Sequence, residues 1–185
     1  MTRTEDQELQ LKINAYGNML FKLSFLRLRN VQDAEDVVQE VFYQYLKTSR
    51  TFESPEHEKA WLVKVTLNAC RKVWRSAKRR PQKSLEEGAS EILKGTEEGE
   101  GIGAGMAAPD PEEAAVRQEE RRRVLEAVME LPERYRDVIH LFYYEEIPIK
   151  EIARLTGRGE STVTSQLTRA RGQLKKMLKG EYEFG

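Results

Sequence analysis

From Leu9 onward, apolar residues return every third or fourth position, at Ile13, Tyr16, Leu20 and Leu23. That spacing puts them on one face of a helix. A second helix is expected from Asp33, an N-cap residue with Asp36 three positions on, a carboxylate variant of the capping box. Its apolar face would be Val37, Val38, Val41, Phe42 and Tyr45. A third helix begins at Ser54-Pro55, with Ser as cap and Pro at the first helical position, and runs to about Arg79. The later pattern predicts helices from Glu112 to Glu130, Glu133 to Tyr144, Ile149 to Leu155 and Glu160 to Leu178, with Pro132 and Pro148 at helix starts. No alternating apolar run flanked by turn residues marks a strand, so the expected fold is all-α.

The pattern fails between the two helical blocks. Glu97-Glu98-Gly99-Glu100-Gly101-Ile102-Gly103-Ala104-Gly105 is Gly-rich and acidic, and Pro109-Asp110-Pro111 closes it. Such a composition buries too little apolar surface to fold. Residues 81–111 are therefore read as a flexible acidic linker between two small domains, 1–80 and 112–185. As a random coil, the acidic stretch up to residue 119 would have a typical end-to-end distance of roughly 35 Å.

Charge sharpens the division. The chain carries 31 basic and 31 acidic side chains, yet residues 1–80 sum to +5, 81–119 to −7 and 120–185 to +2. Lys59 to Leu85 holds nine Lys/Arg and no Asp or Glu. Screening confines each contact to a Debye length of about 8–10 Å, so local basic stripes rather than net charge decide affinity for nucleic acid. One cysteine, Cys70, excludes an internal disulfide and a multi-Cys zinc site, and fits a reducing compartment. With only His57 and His140 besides, the composition argues against an enzyme, and no cofactor is expected. No stretch approaches the ~20 apolar residues of a membrane span. The N-terminus lacks a hydrophobic signal core. The expected location is the cytoplasm.

Three surfaces could carry function. On the third helix, Lys64, Asn68, Arg71, Arg75 and Lys78 form one polar stripe, with Trp61 and Trp74 at its margins and Leu62, Val65, Ala69 and Val73 toward the other side. Cations that track a phosphate backbone, with aromatics able to stack on bases, suit single-stranded nucleic acid. The alternative is a solvated basic face with core tryptophans. On the second helix, Asp36, Gln39, Glu40 and Tyr43 form an acidic stripe, unsuited to DNA and suited to a basic protein partner or simply to water. A metal cluster of Asp33, Asp36 and Glu40 is disfavoured because no His or Cys lies near.

The third surface follows the turn Thr156-Gly157-Arg158-Gly159, of the kind that joins helix-turn-helix pairs. Ile152, Ala153 and Leu155 would pack against Val163, Leu167, Ala170 and Leu174. That leaves Ser161, Thr162, Thr164, Ser165, Gln166, Thr168, Arg169, Arg171 and Lys175 facing outward to reach base edges and phosphates. Cys70 and His140 are expected in the core, and His57 in a solvated loop.

Four segments carry a family resemblance. Asp33-Ala-Glu-Asp-Val-Val-Gln-Glu-Val-Phe42 resembles region 2.2 of bacterial RNA polymerase sigma factors, more narrowly the extracytoplasmic-function (ECF, group IV) class. Ala60-Trp61-Leu-Val-Lys-Val-Thr-Leu-Asn68 with Cys70-Arg71 is similar to regions 2.3–2.4, and Leu131-Pro-Glu-Arg-Tyr-Arg-Asp-Val138 to region 4.1. Glu151-Ile-Ala153 through Ser161-Thr-Val163, Ser165, Leu167, Arg169-Ala-Arg171 and Leu174 is similar to region 4.2. The resemblance implies that Asp33, Asp36, Gln39, Glu40 and Tyr43 contact core polymerase. It implies that Trp61, Lys64, Asn68, Arg71, Arg75 and Lys78 meet the minus-10 strand, with the loop Phe52 to Lys59 helping to hold an extruded base. The nine outward residues of the last helix would read the minus-35 duplex. Implied partners are core RNA polymerase, promoter DNA and a membrane-linked anti-sigma factor.

The chain departs from the family pattern at several positions. Arg158 and Gly159 stand where an apolar residue and a Ser cap are common. Thr164 and Gln166 replace basic residues, Thr168 a frequent His, and Glu58 an aromatic. The competing reading is a helix-turn-helix regulator that binds duplex DNA without a polymerase role. It would need only residues 120–185 and would leave Asp36 and Glu40 idle.

Overall fold

The computed structural model describes residues 3–48, 50–76 and 110–178. These form seven α-helices and, among the described residues, no strand. The expected linker lies outside the described residues except for Asp110 and Pro111, as does Lys78.

Helix α1 spans Arg3–Leu28 and α2 spans Val31–Lys47. Between them Arg29 takes a left-handed conformation, φ 55°, which ends α1 and leaves Asn30 extended. The Asn30 side chain then accepts from the Asp33 N–H at 2.9 Å. Asn30, not Asp33, is thus the cap. Asp33 sits in the first turn, where its charge faces the positive end of the helix dipole. Helix α3, Pro55–Ser76, starts as the sequence predicts, with Ser54 Oγ accepting from the His57 N–H at 3.1 Å. Pro55 to Lys59 are therefore helical, so the loop expected over Phe52 to Lys59 is confined to its first three residues.

Helix α4 spans Pro111–Glu130 and is capped by Asp110. The single helix expected over 133–144 is α5, Glu133–Ile139, followed by a π turn over His140–Tyr144 closed by the Glu145 N–H on the His140 carbonyl at 3.1 Å. The extra residue in this turn keeps His140 and Leu141 inside while Tyr143 and Tyr144 turn outward. Helices α6, Ile149–Thr156, and α7, Glu160–Met177, flank a turn in which Gly157 takes φ 69°, a conformation costly for side chains other than Gly. The Gly157 and Arg158 N–H groups both return to the Ala153 carbonyl, closing the end of α6.

Helices α1–α3 pack around Leu20, Val37, Val41, Phe42, Leu62 and Cys70. A second apolar cluster does not stop at this bundle. It runs from Leu23, Phe25, Val63 and Leu67 into Val138, Leu141, Ile152, Leu155, Val163, Leu167 and Leu174. The helices on either side of the acidic segment are thus packed on each other, α1 against α5 and α3 against α6. At the seam, Arg27 donates to Asp137 at 2.5 Å and to Glu133 at 2.6 Å. Lys59 meets the Glu145 carbonyl at 2.9 Å and its carboxylate at 3.2 Å. Burial disfavours the Arg27 charge, but the two carboxylates outweigh it and hold the guanidinium pKa above its ordinary value.

Candidate nucleic-acid interface

The α2 stripe is intact. Asp36, Gln39, Glu40 and Tyr43 are all exposed along one side, opposite buried Val37, Val41 and Phe42. Asp36 accepts from Gln32 at 3.1 Å and Glu40 from Gln44 at 2.8 Å, neighbours on their own helix. Tyr43 lies under the Lys47 ammonium, 4.1 Å from the ring centroid. Asp33 is half-buried at the helix start, set back from these four. Among the described residues no group of three or more His, Cys, Asp or Glu is arranged to hold a metal ion.

The α3 stripe divides. Asn68, Trp74 and Arg75 are exposed, whereas Lys64 and Arg71 are half-buried. Lys64 donates to the Leu155 carbonyl and Arg71 to the Thr156 carbonyl, each at 3.3 Å. Both cations thus sit at the C-terminal end of α6, where the helix dipole favours positive charge. Arg71 also donates to Asn68 Oδ1 at 3.2 Å. Arg71, Trp74 and Arg75 line a cleft of about 190 Å³ with Arg27, Cys70 and Glu133. Burial pushes the Cys70 thiol up to about 11, which keeps it protonated and inert.

Trp61 is not on an open face. It is half-buried in an aromatic cluster, 5.7 Å from Phe52 and 6.1 Å from Tyr45 between ring centroids. Tyr45 and Phe52 stack at 5.9 Å, and His57 meets Phe52 edge-on at 5.6 Å. His57 is exposed, as expected, but on the first turn of α3 rather than in a loop. Behind the cluster lies buried Glu58, which accepts from Lys12 at 2.7 Å, Tyr16 at 3.0 Å and Tyr45 at 2.5 Å. Burial alone would raise the Glu58 pKa. The three donors outweigh it and hold the carboxyl below its ordinary range. Burial, then the bond to Glu58, pushes the Tyr16 hydroxyl up to about 12. Tyr45 had been legible only as an apolar position of α2. That its hydroxyl fixes the ring beside Trp61 depends on the contact with Glu58, which no local pattern encodes.

On α7 the expected division holds. Val163, Leu167, Ala170 and Leu174 are buried, and the nine polar positions face outward, with Gln166 and Arg171 half-buried. Ser161, Thr162, Ser165, Gln166 and Arg169 line a concavity of about 430 Å³ together with Arg134 and Tyr135 of α5. Arg134 and Tyr135 were missed as site residues, although they fall in the quoted 131–138 segment. The Thr164 and Thr168 hydroxyls bond back to the Glu160 and Thr164 carbonyls of their own helix, at 2.9 and 3.0 Å. Arg171 donates to the Tyr143 hydroxyl at 3.0 Å, while Lys175 is exposed further along. Gly159 caps α7 without a side-chain bond, and Arg158 reaches across to α5 and α7.

Comparison with known proteins agrees with this layout. The Sigma-70 region 2 family model matches residues 13–80 and the Sigma-70, region 4 model matches residues 121–174, together more than half of the chain. The ECF RNA polymerase sigma factor SigW of Bacillus subtilis is 26% identical over 167 residues, covering 90% of this chain and 87% of that one. RNA polymerase sigma factor SigV of the same organism is 28% identical over 151 residues, with 81% and 78% covered. RNA polymerase sigma-H factor of Pseudomonas aeruginosa is 25% identical over 190 residues, with 96% of each covered. Among solved structures, the sigma factor RpoE in complex with the anti-sigma factor NepR from Bartonella quintana shares the fold at a TM-score of 0.62, with 20% identity and coverage of 98% of this chain and 100% of that one. CnrH, solved with the cytosolic domain of CnrY, shares it at 0.56, with 18% identity and 96% and 91% covered. With the region 2 match over the acidic and basic helices and the region 4 match over the helix-turn-helix, in that order along one chain, this protein belongs to the sigma-70 family of RNA polymerase sigma factors, in its ECF class.

Proposed function

We propose that this sigma factor divides its work among the three surfaces. Asp36, Gln39, Glu40 and Tyr43, with Asp33 at the edge, grip core RNA polymerase. Trp61, Lys64, Asn68, Arg71, Arg75 and Lys78 engage the minus-10 strand. Ser161, Thr162, Thr164, Ser165, Gln166, Thr168, Arg169, Arg171 and Lys175 meet the minus-35 duplex. Residues 1–80 and 112–185 are the two working units and 81–111 their connection. The protein contributes binding rather than a chemical step, and works in the cytoplasm. Among the described residues no helix is long and apolar enough to cross a membrane. A membrane-linked anti-sigma factor is its proposed regulator, on the analogy of the sigma factor–anti-sigma complex that shares its fold.

The observation that carries this reading is the exposed acidic stripe of α2, on a helix packed against an α3 that exposes Asn68, Lys72 and Arg75. A duplex-binding regulator would leave these four positions to water alone. Alanine at both Asp36 and Glu40 is expected to weaken co-elution of the full chain with core polymerase at least tenfold, while its affinity for minus-35 duplex is unchanged. Unaltered association with polymerase would favour the regulator reading instead.

A further inference from the structure

Arg158 stands in the turn between α6 and α7, and its bonds show what holds it there. One guanidinium nitrogen, NH2, donates to Asp137 Oδ2 at 3.1 Å; the other, NH1, donates to the Arg134 carbonyl and to Gln166 Oε1, each at 3.2 Å. The Asp137 side chain is 1% exposed and that of Arg158 is 23% exposed, so the guanidinium is held in place rather than waving in solvent. An arginine has only donors. The atom of Gln166 that faces it must therefore be the carbonyl oxygen, which fixes the orientation of the amide.

That orientation matters for what Gln166 can read. A free glutamine pairs with adenine by offering carbonyl and amide together, accepting from N6–H and donating to N7. With its oxygen turned toward Arg158, Gln166 presents the two Nε2 hydrogens to the outside. Guanine offers two acceptors, N7 and O6, at the same place in the major groove, whereas adenine offers one acceptor and a competing donor. Gln166 lines the concavity on the outward side of α7 with Ser161, Thr162, Ser165 and Arg169, where a base edge would enter.

We propose that Arg158 is a specificity-determining positioning residue. By holding the Gln166 carbonyl, it makes this sigma factor prefer guanine over adenine at the minus-35 base pair that Gln166 faces. The proposal rests on the reading of α7 as the minus-35 helix. Arg158 need not touch DNA for this. It acts through the amide it orients, and its own anchor is the buried Asp137 that also receives Arg27.

The test is selection of promoter duplexes, randomised across the minus-35 element, by holoenzyme made from the full chain. The wild type is expected to show one base pair at which guanine exceeds adenine, and Gln166→Ala to erase that preference there alone. Arg158→Leu should free the amide and shift the same position toward adenine by about fivefold or more. Gln166→Glu keeps the Arg158 contact but replaces the outward donor by an acceptor, so preference should move from guanine to cytosine, whose N4 donates. This variant also serves if Arg158→Leu fails to fold. Adenine preferred by the wild type at the Gln166 position, or Arg158→Leu and Gln166→Glu weakening all sequences equally, would overturn the proposal. Absence of any sequence-selective minus-35 binding would instead overturn the reading of α7, and the role of Arg158 with it.

Discussion

Glu58 shows how one carboxylate can organise a surface it does not belong to. By taking bonds from Lys12, Tyr16 and Tyr45 it holds together α1, α2 and α3 and fixes the ring that packs on Phe52 and Trp61. Hydrogen bonds to a charged group contribute about 1.5–3 kcal/mol, so Glu58→Gln is expected to cost about 2 kcal/mol at pH 7 in urea denaturation. Because the folded-state pKa lies below the ordinary value of 4.5, the contribution is fully present above that pH and is lost as acid titrates through the lowered value. The wild type should therefore lose its advantage over Glu58→Gln below pH 4.5. A constant gap from neutral to strongly acid pH would show that the charge is not what Glu58 supplies. At this scale the sequence was only partly legible. Asn30 and Asp33 are both good caps, and the choice between them was made by the left-handed turn at Arg29, which has no glycine to announce it.

The helices themselves were easier to read than the faces they bury. The periodicity of α2 and α7 gave both their buried and exposed sides, because each packs on one side only. Helix α3 is different: Leu62, Ala69 and Cys70 meet α1 and α2, while Ala60, Val63 and Leu67 belong to the cluster shared with α5–α7. A stripe read from spacing assumes one partner, so Lys64 and Arg71 looked open although both end on carbonyls of α6. The π turn after Ile139 was likewise hidden, since its bonding differs from a helix by one residue of register. For α3 the account predicts a separation of functions. Asn68→Ala, at an exposed position, should leave core-polymerase binding intact and reduce permanganate reactivity at the promoter several-fold. Trp61→Ala should do the same and also lower stability by about 3 kcal/mol, because the indole is packed against Phe52 and Tyr45. Loss of polymerase binding together with strand opening in Asn68→Ala would mean that the two surfaces are not independent.

Across the whole molecule, the two helical units expected on either side of the acidic segment also share an apolar cluster and a buried ion pair. Such packing between segments over 100 residues apart leaves no local trace, since Arg27 and Asp137 each look like ordinary helix charges. Asp137 serves two arginines, Arg27 and Arg158, so Asp137→Asn should destabilise the folded chain more than Arg27→Ala. Removing one member of a buried pair costs about 3–5 kcal/mol; Asp137→Asn deprives both arginines and leaves Arg27 only the part-exposed Glu133, whereas in Arg27→Ala the arginine of the turn remains to compensate Asp137. Urea midpoints in the opposite order would refute the shared-carboxylate account. In this closed arrangement the α2 stripe and the outward face of α7 are exposed while Lys64 and Arg71 are occupied. Engaging a melted strand through those two cations requires them to leave α6.

Promoter-directed initiation by this chain is read out by run-off transcription from a genomic promoter library with purified sigma-free core polymerase. Adding the full chain should produce discrete promoter-specific transcripts, and the Asp36→Ala/Glu40→Ala chain should produce at least tenfold less. Equal transcription with and without the wild-type chain would contradict the account.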